Sequence, residues 1–560
     1  MKTKSFIAMS MIAALAAGCS SDDIVDGVED TNGGTEVTTS GTAFVSLNIM
    51  LPNTAGTRAD SQNEQFENGD PDEYKVNSLE ITFYSAVNGD FLQTVEYNAS
   101  DLYWDNPAYS TGGITTKAVL PVVQVDFIGE AWAVVAVNKP TGWTVGVDNE
   151  AQTGVTASTI TGTGKKNFFM TNAVKHDGTF LVKVKSFTSK NEAQKYGETC
   201  DIYVERAAAK VNLYVDKVNN LTDWSSENVY KIPEGKTNAG AQVKIANWQL
   251  DVTNTTMYPI RKFIGTNPTK PFNKDVYTRF YGVSEYRTYW AEDPNYDTDG
   301  TFNTIKFGEN IKNEVGDCEY CLENTFDVKH QKQNQTTRVL VKAVYAPNGM
   351  ALNTTWYTLG NSAKELSATD VENKIAAELQ TVATDIELNG EMAAGTRYFT
   401  TTSFKVNGSE PTPEQVNKVN SRFGKITTYK DGVCYYAIRI KHLDYYCPWG
   451  DEKTPNFVAN APVYNVKLST AGEDDPTEPT KYVDYVHYTT KDVPGFDVSY
   501  LGRYGVVRNN WYKVTIKTIA QPGSPIIPEL TEDPDDEQKY YLQATINILD
   551  WAVRNQGVDL

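Results

Sequence analysis

Apolar positions along the chain recur mostly at a spacing of two. Ala43, Val45, Leu47, Ile49 and Leu51 share one face of a segment whose other face carries Phe44, Ser46, Asn48 and Met50. That alternation predicts a strand over 43–51. Leu79, Ile81 and Phe83 repeat the pattern within 76–84, Asn88-Gly89 is a hairpin signal, and 91–97 reads as the return strand. Apolar runs at 118–125, 131–137, 168–172, 180–184 and 204–215 predict further strands, as do 243–252, 435–440, 463–468 and 512–519. Helical spacing appears twice. Thr369-Asp370-Val371-Glu372 reads as a capping box ahead of Val371, Ile375, Leu379 and Val382. Thr412-Pro413-Glu414-Gln415 opens a second helix with Val416 and Val419 inward. Two helices cannot supply the crossovers that parallel sheets need. The expected fold is therefore mainly β, built of antiparallel sandwiches with a few short helices in the second half.

Polar stretches separate these blocks. Residues 20–41 are rich in Asp, Gly, Thr and Ser and read as a flexible tether, and 52–74 as a long exposed loop. A domain boundary is expected near the polar segment 221–238. Residues 521–539 form a Pro-rich, acidic linker that cannot bury a face. One strand lies beyond it, at 540–553. Leu542, Ala544, Ile546 and Ile548 point one way, the phase slips at Leu549-Asp550, and Trp551 and Val553 carry on the apolar side. Such a slip is what a β-bulge produces.

The N-terminus reads as an export signal. Lys2 and Lys4 precede a short apolar run, and Leu15-Ala16-Ala17-Gly18-Cys19 resembles a bacterial lipobox, which makes Cys19 the expected lipidation site. Ser20-Ser21-Asp22-Asp23 resembles the acidic signals that send Bacteroidetes lipoproteins to the cell surface. The remainder is expected to be extracytoplasmic and tethered by lipid.

Charge and chemistry narrow the function. The chain has 560 residues, and 51 Lys+Arg against 71 Asp+Glu leave a net charge of −20, which argues against a nucleic-acid partner. GxSxG, HExxH and P-loop motifs are absent, and His176, His330, His442 and His487 form no general-base constellation, so no enzyme is expected. Five cysteines remain after Cys19, an odd number. Cys318-Glu-Tyr-Cys321 lacks the partners of a zinc site and reads as part of a strand. Asn295-Tyr-Asp-Thr-Asp-Gly300 begins like a calcium loop, but Lys306 stands where the closing Glu belongs. No metal or cofactor is expected. Aromatic clusters at 286–290 and 445–449 fit sheet packing better than sugar stacking.

Several motifs then point to a family. Val204-Glu205-Arg206 followed by Ala-Ala-Ala-Lys, Val506-Val507-Arg508-Asn509-Asn510 with Tyr512, and Leu549-Asp550-Trp551-Ala552-Val553 with Val558-Asp559-Leu560 resemble the fimbrillins of Bacteroidetes type V pili, among them the Mfa-type stalk subunits. Asn247-Trp248 and Leu322-Glu323-Asn324-Thr325 also look family-like. The resemblance implies two transthyretin-like β-sandwich domains, a lipoprotein precursor and an extracellular arginine-specific protease that cuts after the first strand. Arg58-Ala59 stands at that place, and Arg58 is the only arginine before Arg206. The implied organisation is a signal peptide at 1–18, a lipidated propeptide with the first strand at 19–58, sandwich domains at 59–220 and 221–530, and an acidic linker with a donor strand at 531–560. The implied function is a fimbrial stalk subunit supporting adhesion. Cleavage frees the strand carrying Ala43, Val45, Leu47, Ile49 and Leu51, and the C-terminal strand of another copy replaces it head-to-tail. Expected partners are further copies, anchor and tip subunits, the protease, and the outer membrane before cleavage. The alternative is a non-polymerising surface lipoprotein, or a tip or anchor adhesin, that binds glycans or proteins.

Overall fold

The Asn88-Gly89 hairpin forms as the alternation requires. Gly89 takes φ +77° in the turn, and Ser78–Ser85 pairs antiparallel with Phe91–Asn98. Leu79, Ile81 and Phe83 are buried on one face. The computed structural model describes residues 42–50, 66–67, 69–101, 103–104, 117–119, 122–175, 177–196, 201–217, 223–263, 288, 290–306, 308–327, 330–442, 446–447, 456–457, 502, 504–533 and 551–559. The fold is mainly β, and most strand pairings are antiparallel. No helix among the described residues is long and apolar enough to cross a membrane.

The first large sheet runs Phe91–Asn98, Ser78–Ser85, Glu130–Val137, Met170–Asn172, Asp201–Arg206, Asn48–Met50, Lys117–Val119, Tyr103–Trp104. Its core takes in Ile81, Phe83, Val135, Phe169 and Ile202 together with the four N-terminal residues Ala43, Val45, Leu47 and Ile49. The chain then changes sheets across a bend at Ala207. Asp201–Arg206 belongs to the first sheet, Ala207 and Ala208 still lie in the first core, and Ala209–Val215 enters the second. The change falls ahead of the polar segment at 221–238.

The second sheet runs Cys318–Cys321, Ala209–Val215, Asn510–Thr518, Trp551–Asp559, Phe66–Glu67. It faces a four-stranded sheet of Val229–Lys231, Gln242–Asp251, Arg338–Ala346 and Val433–Arg439. Val211, Leu213, Val514 and Ile516 from one sheet share a core with Val243, Trp248, Val341 and Ile438 from the other, which is sandwich packing.

Between the adjacent strands Arg338–Ala346 and Val433–Arg439 lies an insertion with a core of its own. Both expected helices fall in it. Pro413–Phe423 begins at Thr412, whose box partner is Gln415, and buries Val416 and Val419. The other helix, Ala368–Leu379, starts two residues before the expected cap: Ser367 is the N-cap and Asp370 closes the box. It buries Val371 and Ile375, while Val382 lies beyond its end and is exposed. Trp356 stacks on Tyr429 at 3.8 Å and donates from Nε1 to the Tyr345 carbonyl, which anchors the insertion to the second core.

Candidate functional site

The N-terminal segment expected as one strand is two short ones. Ala43–Val45 pairs antiparallel with Val123–Val125, and Phe44 exchanges both backbone hydrogen bonds with Phe187 at 2.8 Å. After Ser46 and Leu47 the segment changes partners. Asn48–Met50 lies parallel to Asp201–Tyr203 on one side and antiparallel to Lys117–Val119 on the other. Ala43, Val45, Leu47 and Ile49 are each 0–1 % exposed, so the alternation read from the sequence survives the break. The segment is flanked by strands on both sides and sealed by its own side chains.

The chain re-emerges at Phe66–Glu67, now in the other sandwich. These two residues pair antiparallel with Ala552 and Trp551 of the C-terminal strand. That strand, Trp551–Asp559, runs further than the expected end at Val553 and lies parallel to Asn510–Thr518 over its whole length. The register shifts near its end, opposite Ile516 and Thr518. Trp551 and Val553 thus stand on a strand of the chain's own second sheet. Cys19, Leu51, Arg58, Ala59, Leu542, Ala544, Ile546 and Ile548 lie outside the described residues.

A buried ionic network stands where the two cores meet. Glu73 ends a one-turn helix, Pro71–Glu73, and its Oε1 lies 2.6 Å from Lys210 Nζ, both side chains being almost wholly buried. Tyr320 donates its hydroxyl to the same carboxylate. Burial, then the neighbouring Glu73 charge, pushes the Tyr320 hydroxyl pKa far above its ordinary value, which keeps it a donor. Lys210 also sits 4.0 Å from the centre of the Trp511 ring. Arg206 donates from Nε to the Glu73 carbonyl at 2.8 Å and from Nη1 to Asn509 Oδ1 at 3.1 Å. Arg261 binds Glu205 through Nε and Nη2 at 2.9 and 2.5 Å, and also donates to the Arg508 carbonyl. Arg508 in turn pairs with Glu323 and donates to the carbonyls of Pro259 and Tyr258. Asn509 adopts φ +58°, which asparagine tolerates better than most residues.

The motifs quoted for the family resemblance converge here. Glu205, Arg206, Glu323, Arg508 and Asn509 come from segments far apart in sequence, and all five take part. Glu73, Arg261 and Tyr320 escaped the sequence reading as site residues. Lys210 and Arg206 were visible as charges inside an apolar run, which is the signal that a buried partner exists. Glu73 carried no such mark, because it sits in a polar stretch.

Other expected residues also find places. Cys318–Cys321 is a strand, and Cys321 is buried. Burial pushes the Cys434 thiol up to about 11. Trp290 is buried against Phe326 and His442, so this member of the aromatic clusters is core. His442 is fully buried and within 2.7 Å of the Tyr512 hydroxyl. In the turn at 295–300, Asp299 accepts from Lys332 and Gln335. His176 and His487 lie outside the described residues.

Residues 480–557, which include the central strand Asn510–Thr518 of the second sheet and most of Trp551–Asp559, match the family described as major fimbrial subunit protein type IV, fimbrillin, C-terminal. The match covers 78 of the 560 residues, all in the C-terminal part of the chain. Among solved structures, the chain resembles a fimbrilin from Porphyromonas gingivalis W83 at 12% identity and a TM-score of 0.30, over 92% of this chain and 97% of that one. A putative cell adhesion protein from Parabacteroides distasonis is 15% identical with a TM-score of 0.31, over 54% of this chain and 75% of that one. The tip fimbrial protein Mfa3 from Porphyromonas gingivalis is 11% identical with a TM-score of 0.28, over 58% and 84%. No curated protein matches the chain.

Proposed function

We propose that this chain is a polymerising fimbrial stalk subunit, exported as a lipoprotein on Cys19 and activated by cleavage between Arg58 and Ala59. The observation that carries the reading is the state of the N-terminal segment. Its four apolar side chains fill the first core, while its backbone lies between two strands and is joined to the rest only through the loop that contains Arg58. Removing it would leave strand edges unpaired on two sides and apolar holes between them, a vacancy that another strand can fill. Once Arg58 is cut, the segment is held by noncovalent contacts alone.

The C-terminal strand, with Leu542, Ala544, Ile546, Ile548, Trp551 and Val553, is the donor in this reading. Its parallel ladder on Asn510–Thr518 supports that role, because parallel pairing is slightly weaker per residue than antiparallel. The uncut loop also ends on that strand, at Phe66–Glu67. Cleavage therefore relaxes both ends of the molecule, since a pair closed by a short tether costs less entropy than a free one. A groove at one end and a strand at the other make a heterologous contact, and repetition gives a filament. Anchor and tip subunits would cap it.

The test is digestion of the purified precursor with an arginine-specific protease. N-terminal sequencing should give Ala59, and electron microscopy should show filaments only after the cut. The Arg58→Ala protein should stay monomeric. Filaments formed by that variant without cleavage would overturn the reading.

A further inference from the structure

The insertion at 347–432 carries a cavity that the assembly reading does not use. It has a volume of about 370 Å³, within the range of small-molecule sites. It opens between the turn at 359–364 and the C-terminal end of the helix Pro413–Phe423, with Lys374 contributed by the other helix. Its wall is apolar where Leu359 and the half-buried Phe423 ring meet, and polar where Asn361 and Ser362 stand exposed.

Three cations line it: Lys364, Lys374 and Arg422. In a chain of net charge −20, three cations around one small cavity are unexpected. The carboxylates near them are largely committed. Asp370 accepts from the Ser367 backbone at 2.9 Å and from its hydroxyl at 2.7 Å, as the cap of its helix. Glu378 is shared between Arg422 at 3.7 Å and Lys418 at 4.0 Å. Lys364 and Lys374 form no salt bridge among the described residues, and both lie near enough to Asp370 to help the Ser367 hydrogen bonds hold its carboxyl below its ordinary value. Three cations against the nearby carboxylates Asp370 and Glu378 leave the lining net positive.

We infer that this cavity binds a pyranose-sized ligand bearing a carboxylate, an acidic terminal sugar. Each part of the lining has a counterpart in such a molecule. The lysines answer the carboxylate as point charges, Asn361 and Ser362 offer hydrogen bonds to hydroxyls, and the Phe423 ring gives the apolar face of the sugar a surface to lie on. A bare inorganic anion would leave most of the cavity empty. A neutral sugar would leave the cations unanswered.

The test uses the full chain and calorimetric titration with 3′-sialyllactose, lactose and inorganic phosphate in parallel. Sialyllactose should bind, and the two controls should not. The double variant Lys364→Gln with Lys374→Gln should weaken sialyllactose binding at least tenfold while leaving the thermal melt unchanged, since Lys364 is exposed and Lys374 is only half-buried. Replacing both by Arg should restore most of the binding. Binding of phosphate at equal strength would make this an unselective anion site, equal binding of lactose would remove the role of the cations, and no binding by any probe, or no effect of the double variant, would overturn the inference outright.

Discussion

The two ends of the chain both join sheets, but in opposite ways. The N-terminal segment is enclosed: strands flank it on both sides, and Ala43, Val45, Leu47 and Ile49 are buried in the first core. The C-terminal strand is laid on. It pairs in parallel along Asn510–Thr518, and on its other side, among the described residues, only Phe66–Glu67 pair with it, over two residues. Backbone pairing alone therefore does not decide how firmly a strand belongs to its domain.

The largest effect should separate the two ends outright. Deleting 540–560 should leave a monomer with a cooperative thermal melt, yet abolish filaments after processing as seen by electron microscopy. Deleting 42–50 from the unprocessed protein should abolish the cooperative melt itself. Fibres from the first deletion would show that the C-terminal strand is not the donor.

A smaller effect tests how deeply the enclosed end is embedded. Leu47→Ala in the uncut monomer should cost about 2–5 kcal/mol in urea unfolding, the usual range for a buried leucine. A loss below about 0.5 kcal/mol, the size typical of surface changes, would mean that the first core closes without this segment.

The smallest effect concerns the sheet that carries the C-terminal strand. Glu319 lies on the strand at the far edge of that sheet, and burial pushes its carboxyl up to about 7, against the hydrogen bonds it accepts from Leu250 and Asn313. The folded-state value exceeds the unfolded one, so the stabilisation is complete below the unfolded value of 4.5 and is lost as pH rises through about 7. Glu319→Gln keeps an oxygen for both donors, which bind the same Oε2. It should flatten the pH dependence between 4.5 and 7, gaining roughly 2–3 kcal/mol over the parent near neutral pH. Hydrogen exchange should place the change in the second sandwich and leave the sheet around Asn48–Met50 untouched.

The legible part of this fold was the part written in periodicity. The hairpin at Asn88-Gly89, the buried face of 43–49 and the helix start at Thr412 follow from local rules that need no tertiary information. The helix at Ser367 was displaced by two residues because Ser and Thr can both cap and stand close together. Where Ala209–Val215 leaves one sheet for another was invisible, since an extended backbone reads the same on either side of Ala208. The insertion's separate core was hidden for a related reason: apolar spacing fixes which face is buried, not which core receives it. The ionic network was half legible, as charges stranded among apolar neighbours.

That network also bears on mechanics. Arg206, Arg261 and Arg508 each fasten to partners from distant segments, and Glu73, Lys210 and Tyr320 tie the entry to the first sandwich onto the second. Breaking one such buried pair costs about 3–5 kcal/mol, so the joint between the sandwiches resists flexing. Units braced in this way behave as stiff links, and any rod assembled from them gives under sideways load at the connections between links.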